Sequence, residues 1–389
     1  MSTRTILFTT IASASLLACS AADQGNATVP ANAATAAASP AGAAQAGLPF
    51  AITPVAAFDA PWAMTFLPDG RMLVTQKAGQ LMLVSADGKT KTPLTGIPAV
   101  DSEGQGGLMD VVLHPQFAQN RMVYFSFSEA GPGGKGVALA RGVLQDGDKP
   151  ALQDVSVIFR ASPYVEGDGH YSGRIAFAPD GQHLFFTNGE RQKFDPAQDP
   201  KATLGKVLRL TLDGKPAGDP ALTAKGFNPA VWSYGHRNLL GIAFDGAGNL
   251  WEQEMGPMGG DEINLIQAGK NYGYPIVSDG DHYDGRDIPN HDTRPEFEKY
   301  KVNWTPVIAP AGLIAYSGAM FPEWQGDLFV GGLASEALVR IDVNGTQATK
   351  GDQWGMNARI REVEQGPDGA LYVLEDGEGG RLLKLTKPA

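Results

Sequence analysis

The chain has 389 residues, with 31 lysines and arginines against 42 aspartates and glutamates, for a formal net charge of −11. So acidic a chain is a poor polyanion binder, which sets nucleic acid aside as a partner. Glycine (49) and proline (27) far exceed ordinary usage, a load that excludes a helical bundle and suits a turn-rich all-β fold. The single cysteine excludes a disulfide framework within the monomer and a cysteine-based zinc or iron–sulfur centre.

In chain order, Arg4 is followed by an apolar run from Ile6 to Ala18. The run is short for a membrane span and reads as the apolar region of an export signal. It ends Leu16-Leu17-Ala18-Cys19-Ser20, which resembles the lipobox of bacterial lipoproteins. The resemblance implies cleavage before Cys19 and its lipidation, and Ser20 resembles the residue that sends such proteins to an outer membrane. Residues 1–18 are thus expected to be a lipoprotein-type signal peptide, and 19–47 an Ala/Pro-rich flexible tether that lacks the apolar surface to fold. The folded domain is expected over 48–389.

Within it one pattern recurs: an apolar residue, a Pro, Asp or Gly turn, then alternating apolar residues. It occurs at Phe66-Leu67-Pro68-Asp69-Gly70, His114-Pro115-Gln116-Phe117, Phe177-Ala178-Pro179-Asp180-Gly181, Phe244-Asp245-Gly246-Ala247-Gly248, Phe321-Pro322-Glu323-Trp324 and Gly366-Pro367-Asp368-Gly369. Each copy reads as a hairpin turn before a buried strand. Six copies predict an all-β fold, a six-bladed β-propeller, with long insertions between copies three and five. No long segment carries a convincing 3.6-residue period. A propeller gathers loops from every blade around one opening, so distant residues can meet at one ligand.

Six polar, Gly-rich connections stand out. They are Gly104-Gln105-Gly106-Gly107-Leu108, the stretch from Gly167 to Arg174, Asn188-Gly189-Glu190-Arg191, Tyr234-Gly235-His236-Arg237-Asn238, Glu254-Met255-Gly256-Pro257 with Gly260-Asp261-Glu262-Ile263-Asn264, and Arg359-Ile360-Arg361. Singly each is only a turn. Together with Pro61-Trp62-Ala63-Met64 and the stretch from Asn303 to Pro310, they resemble the soluble aldose sugar and glucose dehydrogenases that use pyrroloquinoline quinone (PQQ).

The resemblance implies oxidation of aldose sugars at C1 to lactones, by hydride transfer to PQQ, with Ca²⁺ as a second cofactor. His170 falls at the family's catalytic base, a role that neutral imidazole suits near pH 7. Glu190 falls at its acidic partner, and Asp168 is a further candidate in the same loop. Gln105, Arg237 and Asn238 match cofactor contacts, with Arg237 also placed to stabilise charge on the quinone. Arg359 and Arg361 match a pair at the PQQ carboxylates, where forked donors suit carboxylate recognition, and Tyr283 is a further candidate contact. The carbonyls of Gly256 and Pro257 match ligands of the cofactor's calcium, and Glu262 with the Tyr272 carbonyl would hold a structural calcium, a hard cation that takes oxygen ligands. Asp261-Glu262 reads equally as a solvated acidic turn.

One departure from the family pattern is Ala334, where relatives often carry a lysine that reaches the cofactor. Two other readings stay open at this level: a metal-dependent lactone hydrolase, and a propeller that binds carbohydrate or a partner without turnover. With no Cys-x-x-Cys-His haem motif in the sequence, electrons must leave through a separate acceptor, a cytochrome or a quinone.

Overall fold

A computed structural model describes residues 47–388. The expected signal peptide, the lipidated Cys19 and nearly all of the tether lie outside the described residues. Six four-stranded antiparallel sheets form the domain. Their innermost strands are Pro61–Phe66, Leu108–Leu113, Ser172–Phe177, Leu239–Phe244, Pro310–Ala315 and Ile360–Gln365, here the inner strands of blades one to six. Each contacts the next in sequence, and the last meets the first, so the ring is closed. The six-bladed propeller expected from the repeats is the observed fold.

Closure uses both ends of the domain. The strand Ala51–Asp59 pairs antiparallel with the final strand Glu378–Thr386 and completes blade six. Joining the ends in one sheet leaves no gap in the ring and only short outer edges.

The recurrent turn has a single structural meaning. In every blade it joins the innermost strand to the second, as at 66–72 between Pro61–Phe66 and Met72–Gln76. Two copies wind briefly into helix, at Phe117–Asn120 and Pro322–Trp324. Apolar residues from facing blades then interdigitate, as in the cluster of Phe321, Trp324, Phe329 and Leu338 with Phe50, Val373 and Leu385. The insertions fall in blade three, which carries the short helix Pro220–Ala224, and above all in blade four, where Met258–Gly259 and Gly280–Asp281 form a two-stranded ribbon beside the main sheet.

Near its start every inner strand bulges against its neighbour: between Pro61 and Met64, Leu108 and Val111, Ser172 and Ile175, Leu239 and Gly241, Ala311 and Ile314, Ile360 and Glu362. A bulge re-aims side chains, and here it does so once per blade, around one end of the central opening.

The third residues of the six inner strands are Ala63, Asp110, Arg174, Gly241, Gly312 and Glu362. Arg174 reaches Glu362 and lies 3.4 Å from Asp110, while its guanidinium covers the Trp62 ring at 4.1 Å. Gly312 leaves room for Glu362: a Cβ there would stand 2.7 Å from Glu362 Oε1. This buried pair closes the centre of the ring below the site.

Candidate active site

Above that plug the strand starts enclose a cavity of about 400 Å³, within the range of small-molecule sites. Trp62, Met109 and Leu240 give it apolar lining, Gln105, Ser172 and Asn238 polar lining, and Lys77, Arg359 and Arg361 positive charge. Arg359 precedes the inner strand of blade six and Arg361 lies in its bulged start, and both face the cavity. Their Nε atoms donate to the two oxygens of Asp376, at 2.9 and 2.8 Å. Burial alone would raise the Asp376 carboxyl, but the paired arginines outweigh it and hold it below the usual range.

A second cavity, of about 220 Å³, adjoins the first. His170, Glu190 and Arg237 line it, and the aromatic side chains Phe194, Tyr274, His282 and Tyr283 surround its mouth. The two cavities share a wall. Arg237 faces the outer cavity and its neighbour Asn238 the inner. Gln105 lines the inner one, and its Oε1 accepts the backbone N–H of His170, at 2.8 Å, while His170 lines the outer.

His170 is buried, and its Nδ1 is hydrogen-bonded to Glu190 Oε1. That bond leaves Nε2 as the nitrogen able to take a proton. Burial pushes the imidazole below its ordinary value, aided by the nearby Arg237 charge and opposed by Glu190, so the ring is neutral near pH 7. Glu190 is wholly enclosed, and its other oxygen accepts the amides of Lys193 and Phe194, at 2.6 and 2.7 Å. Burial would raise this carboxyl, but the His170 bond and those amides hold it below the usual range. An ionised carboxylate beneath a neutral imidazole is the arrangement of a base held in one tautomer.

The backbone around the base is unusual. His170 (φ +47°), Ser172 (+61°), Arg191 (+63°), Gln192 (+58°) and Phe194 (+61°) all adopt left-handed conformations. Such residues persist only where their surroundings hold them, and they concentrate at functional sites. Arg191 does the holding. Buried, it donates to the carbonyls of Gly167 and Gly169 and stacks on Tyr171 at 3.6 Å, pinning the loop that carries His170.

Arg237 donates from Nη1 to the carbonyls of Met255 and Gly256, at 3.0 and 2.7 Å, and its Nη2 lies 3.5 Å from the Tyr283 hydroxyl. The loop 236–238 thus ties to the Gly256-Pro257 turn. Asp261 fixes that turn from the other side. Its carboxylate accepts the amides of Gly256 (2.9 Å), Ile308 (2.8 Å) and Ala309 (2.7 Å), while burial pushes it up to about 6. The solvated-turn reading of Asp261-Glu262 is therefore corrected: both residues are buried on a strand.

Most of the expected residues meet. Gln105, Asn238, Arg359 and Arg361 surround the inner cavity, and His170, Glu190, Arg237, Pro257 and Tyr283 the outer. Tyr283 is 70% exposed and lines the outer cavity together with Arg237. Asp168 turns away from the imidazole and pairs with Lys135 at 2.7 Å. Glu262 and Tyr272 line one small pocket in blade four, but the His291 ring stands between them, its Nε2 3.1 Å from the Tyr272 carbonyl and its Nδ1 3.9 Å from Glu262. A calcium held by that pair requires His291 to move aside.

Sequence reasoning missed Lys77, Asp376, Arg191 and the clamp role of Asp261. Lys77 follows the second strand of blade one and donates to the Gly104 carbonyl at 2.6 Å. The one available signal was positional, since Lys77 ends a second strand in blade one as Ala334 nearly does in blade five.

Such a site on such a ring defines a class. The chain belongs to the glucose/sorbosone dehydrogenase family, whose model matches residues 58–384, and it is an oxidoreductase. It is 40% identical over 338 residues to the aldose sugar dehydrogenase YliI of Escherichia coli K12, across 84% of this chain and 90% of that protein. The apo-form crystal structure of the soluble aldose sugar dehydrogenase from Escherichia coli superposes with a TM-score of 0.80, at 39% identity, over 86% of this chain and 99% of that one. The PQQ-bound form of the aldose sugar dehydrogenase from Streptomyces coelicolor superposes with a TM-score of 0.71, at 29% identity, over 87% and 98%.

Proposed function

We propose that this protein oxidises aldose sugars at C1 to lactones with PQQ and Ca²⁺ as cofactors. The observation that carries the reading is a juxtaposition: a buried neutral imidazole, fixed by a carboxylate, lines a cavity that adjoins a cation-lined cavity of cofactor size, and Gln105 of the second bonds the backbone of His170 in the first. PQQ is a planar tricarboxylate, and the donor set fits it: Arg359, Arg361 and Lys77 against one competing carboxylate, Asp376, with Gln105 and Asn238 as amide partners. When bound, the quinone supplies a two-electron acceptor for the C1 hydride. The carbonyls of Gly256 and Pro257 suit a hard cation, although Arg237 already donates to the first; a carbonyl oxygen has two lone pairs, so both contacts fit.

The sugar would enter past Tyr283 and Phe194 and come to rest where the two cavities adjoin, with C1 within reach of both His170 and the bound quinone. His170 Nε2 accepts the proton of the C1 hydroxyl, and Glu190 stabilises the imidazolium that results. Arg237 faces the same space and stabilises negative charge that develops there. The enclosing aromatics orient the ring by its apolar faces. The lactone-hydrolase reading required acidic and amide groups around a metal without an arginine pair. Family membership and the Arg359–Arg361 pair favour the dehydrogenase over both that reading and the non-catalytic one.

We infer further that the protein is exported, that residues 1–18 are its signal, and that lipidated Cys19 tethers the domain to the outer membrane facing the periplasm. Electrons then pass to a separate acceptor, a cytochrome or a quinone. Reconstituting the apo-protein with PQQ and Ca²⁺ and following dye reduction by a panel of aldoses tests the activity. Turnover that requires both additions is expected, and well-folded protein that binds PQQ yet oxidises no aldose overturns it.

A further inference from the structure

Beneath the Arg237 loop lies a buried group of side chains that the proposed reaction does not use. Glu252 and Glu254 lie on one strand of blade four, opposite Asn264 and Glu262 on the next, in the register Glu252↔Asn264 and Glu254↔Glu262. Alternate residues of a strand share a face, so all four project together, and two carboxylates stand directly opposite each other, a pairing that sheets avoid. His236, from the loop between blades three and four, completes the group. All five are buried.

The hydrogen bonding of the group does not close. Asn264 Nδ2 lies 3.2 Å from Glu252 Oε2, Glu254 Oε1 and Glu262 Oε2, three acceptors for two hydrogens. Glu252 Oε1 is enclosed and has no partner. Among the described residues no lysine or arginine side chain bonds any of the three carboxylates; Glu254 Oε2 takes only the backbone amide of Arg237. Three ionised carboxylates buried together without a cation would be strongly unfavourable. His236 Nδ1 faces Glu254 at 3.1 Å, while its Nε2 meets Ser233 Oγ at 2.9 Å. A hydrogen-bond partner on the far nitrogen fixes the ring of a metal-bound histidine, and Ser233 Oγ is placed to do so.

We propose that His236 Nδ1 and the carboxylates of Glu252 and Glu254 bind a divalent transition-metal ion of the Zn²⁺ or Mn²⁺ class. Their ligand atoms lie within 4.8 Å of one another, close enough for one ion at bonds of about 2.0–2.2 Å after small rotations. The imidazole favours these metals over calcium, which takes oxygen alone. The site is distinct from the carbonyls of Gly256 and Pro257 and from the Glu262–Tyr272 pair. Because Glu254 also holds the Arg237 amide, the ion braces the loop that presents Arg237 and Asn238, and its role is structural.

The test strips the full folded domain with a chelator and titrates it with Zn²⁺, Mn²⁺ and Ca²⁺ separately, without PQQ. Stoichiometric Zn²⁺ or Mn²⁺ uptake with a raised Tm is expected, and the Mn²⁺ form should show nitrogen coupling by pulsed EPR. Glu252→Gln, nearly isosteric and free of one buried charge, should stay folded and lose affinity about 10- to 100-fold; His236→Gln should lose the nitrogen coupling. Uptake of Ca²⁺ alone, uptake that Glu252→Gln leaves unchanged, or no uptake by folded protein overturns the proposal, the last meaning that the carboxylates share protons instead.

Discussion

Arg174 and Glu362, 188 positions apart in the chain, form a buried ion pair across the centre of the propeller. They sit at the same level of blades three and six, and Asp110 of blade two adds a second carboxylate. Replacing Arg174 by Met leaves both acids buried without their cation. The expected cost is about 3–5 kcal/mol, read from urea unfolding at neutral pH. A loss below about 1 kcal/mol, the range of an exposed pair, would mean that water solvates the channel.

His170→Ala is expected to lower kcat by about 10²–10⁴-fold while PQQ still binds, since the arginines proposed to hold its carboxylates line the other cavity. Activity equal to the parent removes the assigned base.

The pH profile follows from the His170 shift. Its folded-state value lies below the ordinary 6.5, and the neutral ring is the active form. Plots of kcat/KM should therefore be flat through neutrality and fall only in acid. Glu190 is the chief contact that raises the ring's value, so Glu190→Gln should lower the plateau and move the acid limb to still lower pH. A limb that moves upward contradicts the pairing.

Lys77 lines the same cavity as Arg359 and Arg361, the cavity proposed to hold PQQ. Lys77→Met should weaken PQQ binding about tenfold, equivalent to ~1.4 kcal/mol, measured by absorbance titration of the apo-protein. Arg361→Met, at a half-buried contact with Asp376, should weaken it more. Unchanged binding in Lys77→Met assigns that lysine to the Gly104 carbonyl alone.

Arg191→Lys should keep the charge but lose the fork that spans Gly167 and Gly169 and the stacking on Tyr171. The loop then loosens around His170. A fall in kcat with PQQ affinity kept marks Arg191 as a positioning residue, whereas a proportional fall in folded protein alone makes it merely structural.

Much of the architecture could be read from the chain because each blade repeats one local instruction. The turns at 66–70, 177–181 and 366–369 place Pro, Asp and Gly between apolar runs, and short-range preference is enough to make each a hairpin. Residues that line the two cavities were legible through motifs such as Gly235-His236-Arg237-Asn238, because neighbours in sequence stay neighbours on one loop. Asp168 shows the limit: it lies in the right segment, yet its side chain turns to Lys135.

By itself the sequence determined that the domain is a closed ring of six sheets and which loops carry its chemistry, since turn residues and alternating apolar runs act over a few positions. Only the tertiary structure decided that Lys77 joins Arg359 and Arg361, that Asp376 is shared by the two arginines, that His291 stands between Glu262 and Tyr272, and that three glutamates of blade four face one another around His236. Those relations depend on how blades far apart in the chain are turned about the common axis. Such contacts are set by packing across the ring, where no local preference of the chain reaches.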